Sequence, residues 1–222
     1  MRARTNAGPR ERLVKIPSGH HLLEGILVVP EGARGVVSFA HGSGSGRFSP
    51  RNQFVARVLQ QAGLATLLID LLEEGEADDR DKVFDIELLA GRLQSTADWL
   101  SHAPGTGRLR LGYFGASTGA AAALVAAARH PATVQAVVSR GGRPDLARDV
   151  LPAVRAPTLL IVGGDDDVVL QLNEQALRLL SCPKEMVVIP GATHLFEEPG
   201  ALEEVARLAT EWFGRHLAAG GR

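Results

Sequence analysis

The sequence predicts a single-domain α/β fold: a mostly parallel sheet with helices on both faces and an antiparallel hairpin at its N-terminal end. Three observations predict it. Short apolar runs alternate with segments of helical period from Gly35 onward, and glycine-rich turns follow several of those runs. The chain has 222 residues, enough for one well-buried α/β core and short for two.

The elements follow in order. Residues 1–12 are polar and carry arginines without an apolar run, so they read as a flexible tail rather than a secretory leader, ahead of a domain over 13–217. Arg12–Ile16 and Leu22–Val29 read as two strands joined through Pro17-Ser18-Gly19. Gly35–Ala40 is a short apolar strand running into His41-Gly42-Ser43-Gly44-Ser45-Gly46. Phe54–Ala62 has helical spacing ended by Gly63, and Ala65–Ile69 is a buried strand ending at Asp70. The acidic stretch from Glu73 to Asp85, densest over 73–81, reads as a solvated surface loop. A long helix over about Ile86–Leu100 precedes the strand Leu109–Ala116 and an alanine-rich helix from Ser117 to about His130. Then come a strand Val134–Ser139, a weak helix Pro144–Ala153, a strand Thr158–Val162, a helix Val169–Leu180, a strand Glu185–Ile189 and an amphipathic helix Leu202–Leu217. The interval between the strands ending at Ser139 and starting at Thr158 holds only one short helix, so no cap domain covers the site.

In a sheet of this kind ligands bind beyond the C-terminal ends of the strands, so residues just after each strand are the functional candidates. The central one is Gly115-Ala116-Ser117-Thr118-Gly119, a G-x-S-x-G pattern between an apolar strand and a helix. A serine on so sharp a turn needs small neighbours two residues to either side, because side chains at Gly115 or Gly119 would strike the adjoining backbone. The turn also puts Ser117 at a helix N-terminus, where free N–H groups favour developing negative charge. The next candidates are Asp165, Asp166 and Asp167 after the strand at Val162, and His194 in Pro190-Gly191-Ala192-Thr193-His194-Leu195-Phe196. The chain order Ser, Asp, His is that of a hydrolytic triad. A base with a pKa near neutrality has to take the serine proton, and histidine is the side chain suited to it.

With these motifs the chain resembles serine hydrolases of the α/β-hydrolase fold, in the compact dienelactone-hydrolase-like branch, over roughly Leu13–Leu217. The resemblance departs at one point: dienelactone hydrolases carry a cysteine nucleophile where this chain has Ser117, which makes it more similar to a carboxylesterase. It implies Ser117 as nucleophile, His194 as general base and then acid, and Asp166 as the group orienting the imidazolium, the Gly163-x-x-Asp166-x-x-Val169 spacing matching this fold. The backbone N–H groups of Thr118 and Ser43 are the implied oxyanion donors. His41, Gly42 and Arg140 are candidate substrate-pocket residues, His41 being expected to bond backbone. Arg140 and Arg143, after the strand at Ser139, are candidates for gripping a substrate carboxylate or for capping their loop.

The implied activity is hydrolysis of short-chain carboxylic esters through an acyl-enzyme. Thioester or lactone cleavage and acyl transfer use the same triad, and a silent small-molecule-binding hydrolase is the remaining alternative. No cofactor and no metal are called for: the Gly42–Gly46 loop lacks the signatures of a P-loop or dinucleotide site, and the adjacent His20 and His21 point apart. Charge is balanced at 24 basic and 25 acidic residues, which gives no reason to expect nucleic acid as a partner. Cys182 is the single cysteine, so no internal disulfide forms, and no apolar run approaches the ~20 residues of a membrane span. A cytoplasmic protein acting on a small-molecule ester is the expectation, with oligomeric state open.

Overall fold

The computed structural model describes residues 11–218; residues 1–10 of the expected tail lie outside the described residues. Eight strands form one sheet in the order β1-β2-β4-β3-β5-β6-β7-β8. They are β1 (Glu11–Ser18), β2 (His21–Val28), β3 (Val36–Ala40), β4 (Ala65–Ile69), β5 (Leu111–Ala116), β6 (Val134–Arg140), β7 (Thr158–Gly163) and β8 (Lys184–Ile189). β1 and β2 run antiparallel to each other, β2 runs antiparallel to β4, and every other pairing is parallel.

The central strands β3, β4 and β5 are buried along their whole length, as strands covered on both faces must be. Against one face pack α4 (Ile86–His102), α5 (Thr118–Arg129), a 3-10 run over Pro144–Ala153 and α6 (Asp167–Leu179), around Leu93, Tyr113, Ala123 and Val137. Against the other pack α1 (Pro50–Gln61) and α7 (Ala201–Leu217), around Phe39, Phe114, Val138 and Phe213. Small residues bring helix and sheet close: Thr118 through Ala127 are all buried in α5, and a Cβ at Gly112 would come within 2.6 Å of the Phe213 ring.

β1 and α1 differ from expectation at their boundaries. β1 begins at Glu11, so Glu11 and Arg12 pair with Val28 and Leu27 instead of belonging to a tail. Pro17 and Ser18 also lie within β1, paired to Leu22 and His21, and the chain reverses at Gly19 and His20, with Gly19 at φ +61°. Pro17 is tolerated because β1 is an edge strand. α1 starts at Pro50, four residues before the expected Phe54, since Ser49 Oγ accepts the Asn52 N–H and Pro50 supplies a preset first turn.

The acidic segment is not one loop. It folds into two single-turn helices, α2 (Glu74–Ala77) and α3 (Arg80–Val83), and Glu76 is buried. The cause is a pairing the local pattern does not display. Arg92 of α4 donates from Nη1 to Glu76 Oε2 at 2.5 Å and from Nη2 to Oε1 at 3.0 Å, and Lys82 Nζ reaches Oε1 at 3.1 Å. No helix among the described residues is long and apolar enough to cross a membrane.

Candidate active site

Ser117 occupies the turn between β5 and α5 with φ +50° and ψ −121°, a sparsely populated conformation for a side-chain-bearing residue. Close packing holds it there. A Cβ on Gly119 would collide with the carbonyl oxygens of Ala40 and His41, and one on Gly115 with the backbone of Ala120. Gly42 closes the other side, where a Cβ would lie 3.0 Å from Ser117 Cβ and 3.1 Å from the Ala116 carbonyl. The Ser117 N–H donates to the Arg140 carbonyl at 3.3 Å and its carbonyl accepts from Arg143 N–H at 3.1 Å, so the turn is pinned to the end of β6.

The structure brings Asp166 and His194 together: His194 Nδ1 donates to Asp166 Oδ2 at 2.6 Å. Gly163, ending β7, makes this contact possible, because a Cβ there would strike the carbonyls of Ala192 and Thr193 in the histidine loop. Asp165 N–H also donates to the Ala192 carbonyl at 3.0 Å, tying the two loops by backbone. Asp166 sits at the N-cap of α6 without capping it, which leaves its carboxylate for the histidine. The histidine loop is itself strained at Phe196, φ +57°, and the burial of that ring among apolar side chains holds the conformation. Thr193 Oγ1 braces the loop through Glu198 Oε1 at 2.6 Å.

Ser117 Oγ and His194 make no hydrogen bond to each other among the described residues. Gly141, directly after β6 and at φ +51°, packs against the histidine loop, where a Cβ would be 3.3 Å from the His194 carbonyl and 3.4 Å from its Nδ1. Buried Asn173 of α6 holds the adjoining turn by donating from Nδ2 to the Gly142 carbonyl at 3.0 Å. Sequence reasoning missed Asn173 because nothing in its helical setting separates it from an ordinary core position. Gly141 did carry a signal, a glycine pair directly after a strand.

The Ser43 and Thr118 N–H groups donate to no other described residue. His41, as expected, bonds backbone at both nitrogens: Nδ1 donates to the Gly42 carbonyl at 3.0 Å and Nε2 accepts the Leu71 N–H at 3.0 Å. Burial pushes its pKa below the ordinary histidine value, which keeps this single neutral tautomer. Leu71 is fixed from its other side too, its carbonyl accepting from Arg92 Nη1 at 2.7 Å.

A cavity of about 960 Å³ opens beside Ser43 and Thr118, bounded by residues 41–51 and by the α2–α3 segment through Leu72, Glu73, Ala77 and Val83. The segment expected to be a solvated loop is therefore a cavity wall. Beneath it the Glu76 carboxyl is held well below the usual carboxylate range, chiefly by its hydrogen bond to Arg92. On the opposite wall Arg47 bridges Asp70 and Glu24, fixing the glycine loop against the end of β4. His21, Glu73 and Glu76 place one ligand atom each within 4.8 Å of one another, yet Arg92 and Lys82 already hold Glu76, and their positive charge opposes a metal ion.

The two arginines after β6 have different surroundings. Arg143 is committed to Asp145 by a two-point bond, Nε to Oδ1 at 2.8 Å and Nη2 to Oδ2 at 2.7 Å, so it caps its own loop. Arg140 is buried, stacks with its Cζ 5.7 Å from the Phe196 ring centroid, and has no acidic partner among the described residues.

Comparison with known proteins identifies the fold and the family. Residues 23–217 match the dienelactone hydrolase family. The crystal structure of a dienelactone hydrolase from Anabaena variabilis superposes with a TM-score of 0.91 at 62% identity, covering 94% of this chain and 99% of that one. A Mycobacterium tuberculosis protein named "Putative phosphoribosyl transferase Rv0571c" is 58% identical over 212 residues, 96% of this chain and 48% of the relative. The chain thus spans about half the length of this curated relative. Est1E from Butyrivibrio proteoclasticus shares the fold at a TM-score of 0.79 and 15% identity, over 91% of this chain and 98% of that one. The chain belongs to the dienelactone hydrolase family of α/β hydrolases.

Proposed function

We propose that this chain is a serine-dependent carboxylesterase whose nucleophile, base and orienting acid are Ser117, His194 and Asp166. The observation that carries the reading is the 2.6 Å bond from His194 Nδ1 to Asp166 Oδ2, at the same sheet edge as a serine held at φ +50° between strand and helix. With Nδ1 committed to the carboxylate, Nε2 of the neutral ring is left to take a proton.

Ser117 Oγ attacks the ester carbonyl as His194 Nε2 accepts its proton, and the Ser43 and Thr118 N–H groups receive the oxyanion. His194 then protonates the departing alcohol, leaving an acyl-serine that a water, deprotonated by the same histidine, releases as the carboxylic acid. The Ser117–His194 hydrogen bond forms in the substrate complex, as such bonds tighten once the site is filled.

The acyl group is short in this reading, because no insertion between β6 and β7 covers that side of Ser117. The roughly 960 Å³ beside the glycine loop takes a larger alcohol portion. Thioesters and lactones present the same carbonyl chemistry and are accepted more weakly. The transferase name of the mycobacterial relative we assign to the half of it that this chain does not match. The enzyme works in the cytoplasm, where its single buried thiol, Cys182, stays reduced.

The test is a fluorophosphonate probe followed by intact-mass and peptide mapping on the native chain and on Ser117→Ala. A single adduct on Ser117, lost in the variant, is the expected result. An adduct on another serine, or none, overturns the assignment.

A further inference from the structure

Five threonines are buried among the described residues: Thr66, Thr96, Thr106, Thr118 and Thr158. All but one have a bonded hydroxyl. Thr66 accepts from Gln60 Nε2 at 2.8 Å, Thr96 donates to the Arg92 carbonyl at 2.9 Å, Thr106 to the Leu100 carbonyl at 2.7 Å and Thr158 to the Ala156 carbonyl at 2.9 Å. The exception is Thr118, only 2% exposed, whose Oγ1 is buried with no hydrogen-bond partner among the described residues. A hydroxyl left in that state destabilises the fold, and a methyl group in its place would not.

Its place in the chain explains why. A threonine inside a helix can bond the carbonyl four residues before it, as Thr96 does in α4 and Thr210 in α7. Thr118 is the first residue of α5, and four residues back lies Phe114, in β5 beyond the elbow, so no helical carbonyl is on hand. It is also the one residue of Gly115–Gly119 that borders the cavity, beside Ser43. Its backbone N–H lies at the positive end of a 12-residue helix, ahead of any intrahelical acceptor. N and Oγ1 of a threonine are separated only by Cα and Cβ, so an oxygen bound to the N–H comes within reach of the hydroxyl in a staggered rotamer. Rotation about Cα–Cβ exchanges methyl and hydroxyl at the cavity wall without moving the backbone.

We propose that the Thr118 hydroxyl is a third donor to the oxyanion, beside the N–H groups of Ser43 and Thr118. This rests on the esterase reading above and adds a catalytic side chain to it. In the free enzyme the hydroxyl has no acceptor among the described residues. The tetrahedral intermediate on Ser117 brings one, fully charged, to the next residue along the chain. The bond is charge-assisted there and weak to the neutral carbonyl of a bound ester, so it lowers the barrier more than it tightens binding.

The experiment pairs activity with stability in Thr118→Val, which replaces the hydroxyl by a methyl group of similar size, and Thr118→Ser, which keeps the hydroxyl. Thr118→Val is expected to lower kcat and kcat/KM for 4-nitrophenyl acetate together, by at least about tenfold, while Thr118→Ser stays within about threefold of the native chain. The melting temperature of Thr118→Val should hold or rise, because an unbonded buried hydroxyl has been removed. Lower activity with undiminished stability is a result that a hydroxyl needed only for folding does not give. Ethyl acetate should lose kcat/KM by the same factor, since the two esters share the oxyanion and differ in the leaving group. Native activity in Thr118→Val, a loss confined to KM, an equal loss in Thr118→Ser, a fall in melting temperature alongside kcat, or unequal losses for the two esters overturns the proposal. If the native chain cleaves no ester and Ser117 takes up no fluorophosphonate, the esterase reading fails and the proposal falls with it. A labelled, active native chain with an equally active Thr118→Val removes the hydroxyl alone.

Discussion

The two sides of the sheet's C-terminal edge are built by different means. At the ends of β5, β6, β7 and β8 the arrangement is steric: Gly115, Gly119, Gly141 and Gly163 allow close approach, and one hydrogen bond joins Asp166 to His194. At the ends of β3 and β4 it is electrostatic: Arg47 bridges Asp70 and Glu24, and Arg92 clamps Glu76 beneath α2. The first kind fixes positions to a few tenths of an ångström and tolerates no added methyl group. The second holds a wall in place through side chains that can be exchanged for others, so it suits the part of a pocket that differs between substrates.

The contrast can be broken at either end. On the steric side, Ser117→Ala is expected to lower kcat for ester hydrolysis by about ten-thousand-fold or more, with the circular dichroism spectrum unchanged. An activity that survives would remove Ser117 from the chemistry. On the electrostatic side, Arg92→Met strands a buried carboxylate, and about 3 kcal/mol of stability should be lost in urea unfolding. Adding Glu76→Leu should return most of it, because an apolar pair in the same space needs no counter-ion.

Gly42→Ala tests how fine the steric tolerance is. The new methyl would press on Ser117 Cβ at 3.0 Å, and a shift of the serine by a fraction of an ångström should reduce kcat about tenfold while the melting temperature moves little. Acid sharpens the opposite region. The Glu76 pKa is depressed from 4.5 to about 2, so its stabilisation is complete at neutral pH and is lost as pH falls below 4.5. The urea midpoint should therefore drop between pH 6 and pH 3, less steeply in Glu76→Gln. The smallest effect is expected from Asp145→Ala, which frees the half-exposed Arg143 and should change stability by no more than about 0.5 kcal/mol.

The same contrast governs what could be read from the sequence. Glycines at fixed offsets from a serine, or three residues before an aspartate, act over short stretches of chain, so the elbow and the Asp166 loop were legible as patterns. The order of strands and helices was legible for a similar reason, each element burying its own periodic face. The α2–α3 wall was not, because Glu76 is buried by an arginine sixteen residues further on, and an acidic stretch with its partner out of view looks solvated. Pro17 misled for a related reason: it resembles a turn residue until β1 is known to lie at the sheet edge. The state of Arg140 depends on Phe196, which comes from another part of the chain.

The peptide groups on either side of Leu71 connect the two kinds of construction. Its amide proton points to an imidazole nitrogen of the glycine loop and its carbonyl to the Arg92 guanidinium under the wall. Protonation of His41 would set two donors face to face at that amide. The backbone ¹⁵N–¹H resonance of Leu71 is therefore a single-site reporter on assembly of the pocket, and its hydrogen-exchange rate should rise as soon as either half loosens, well before the sheet itself opens.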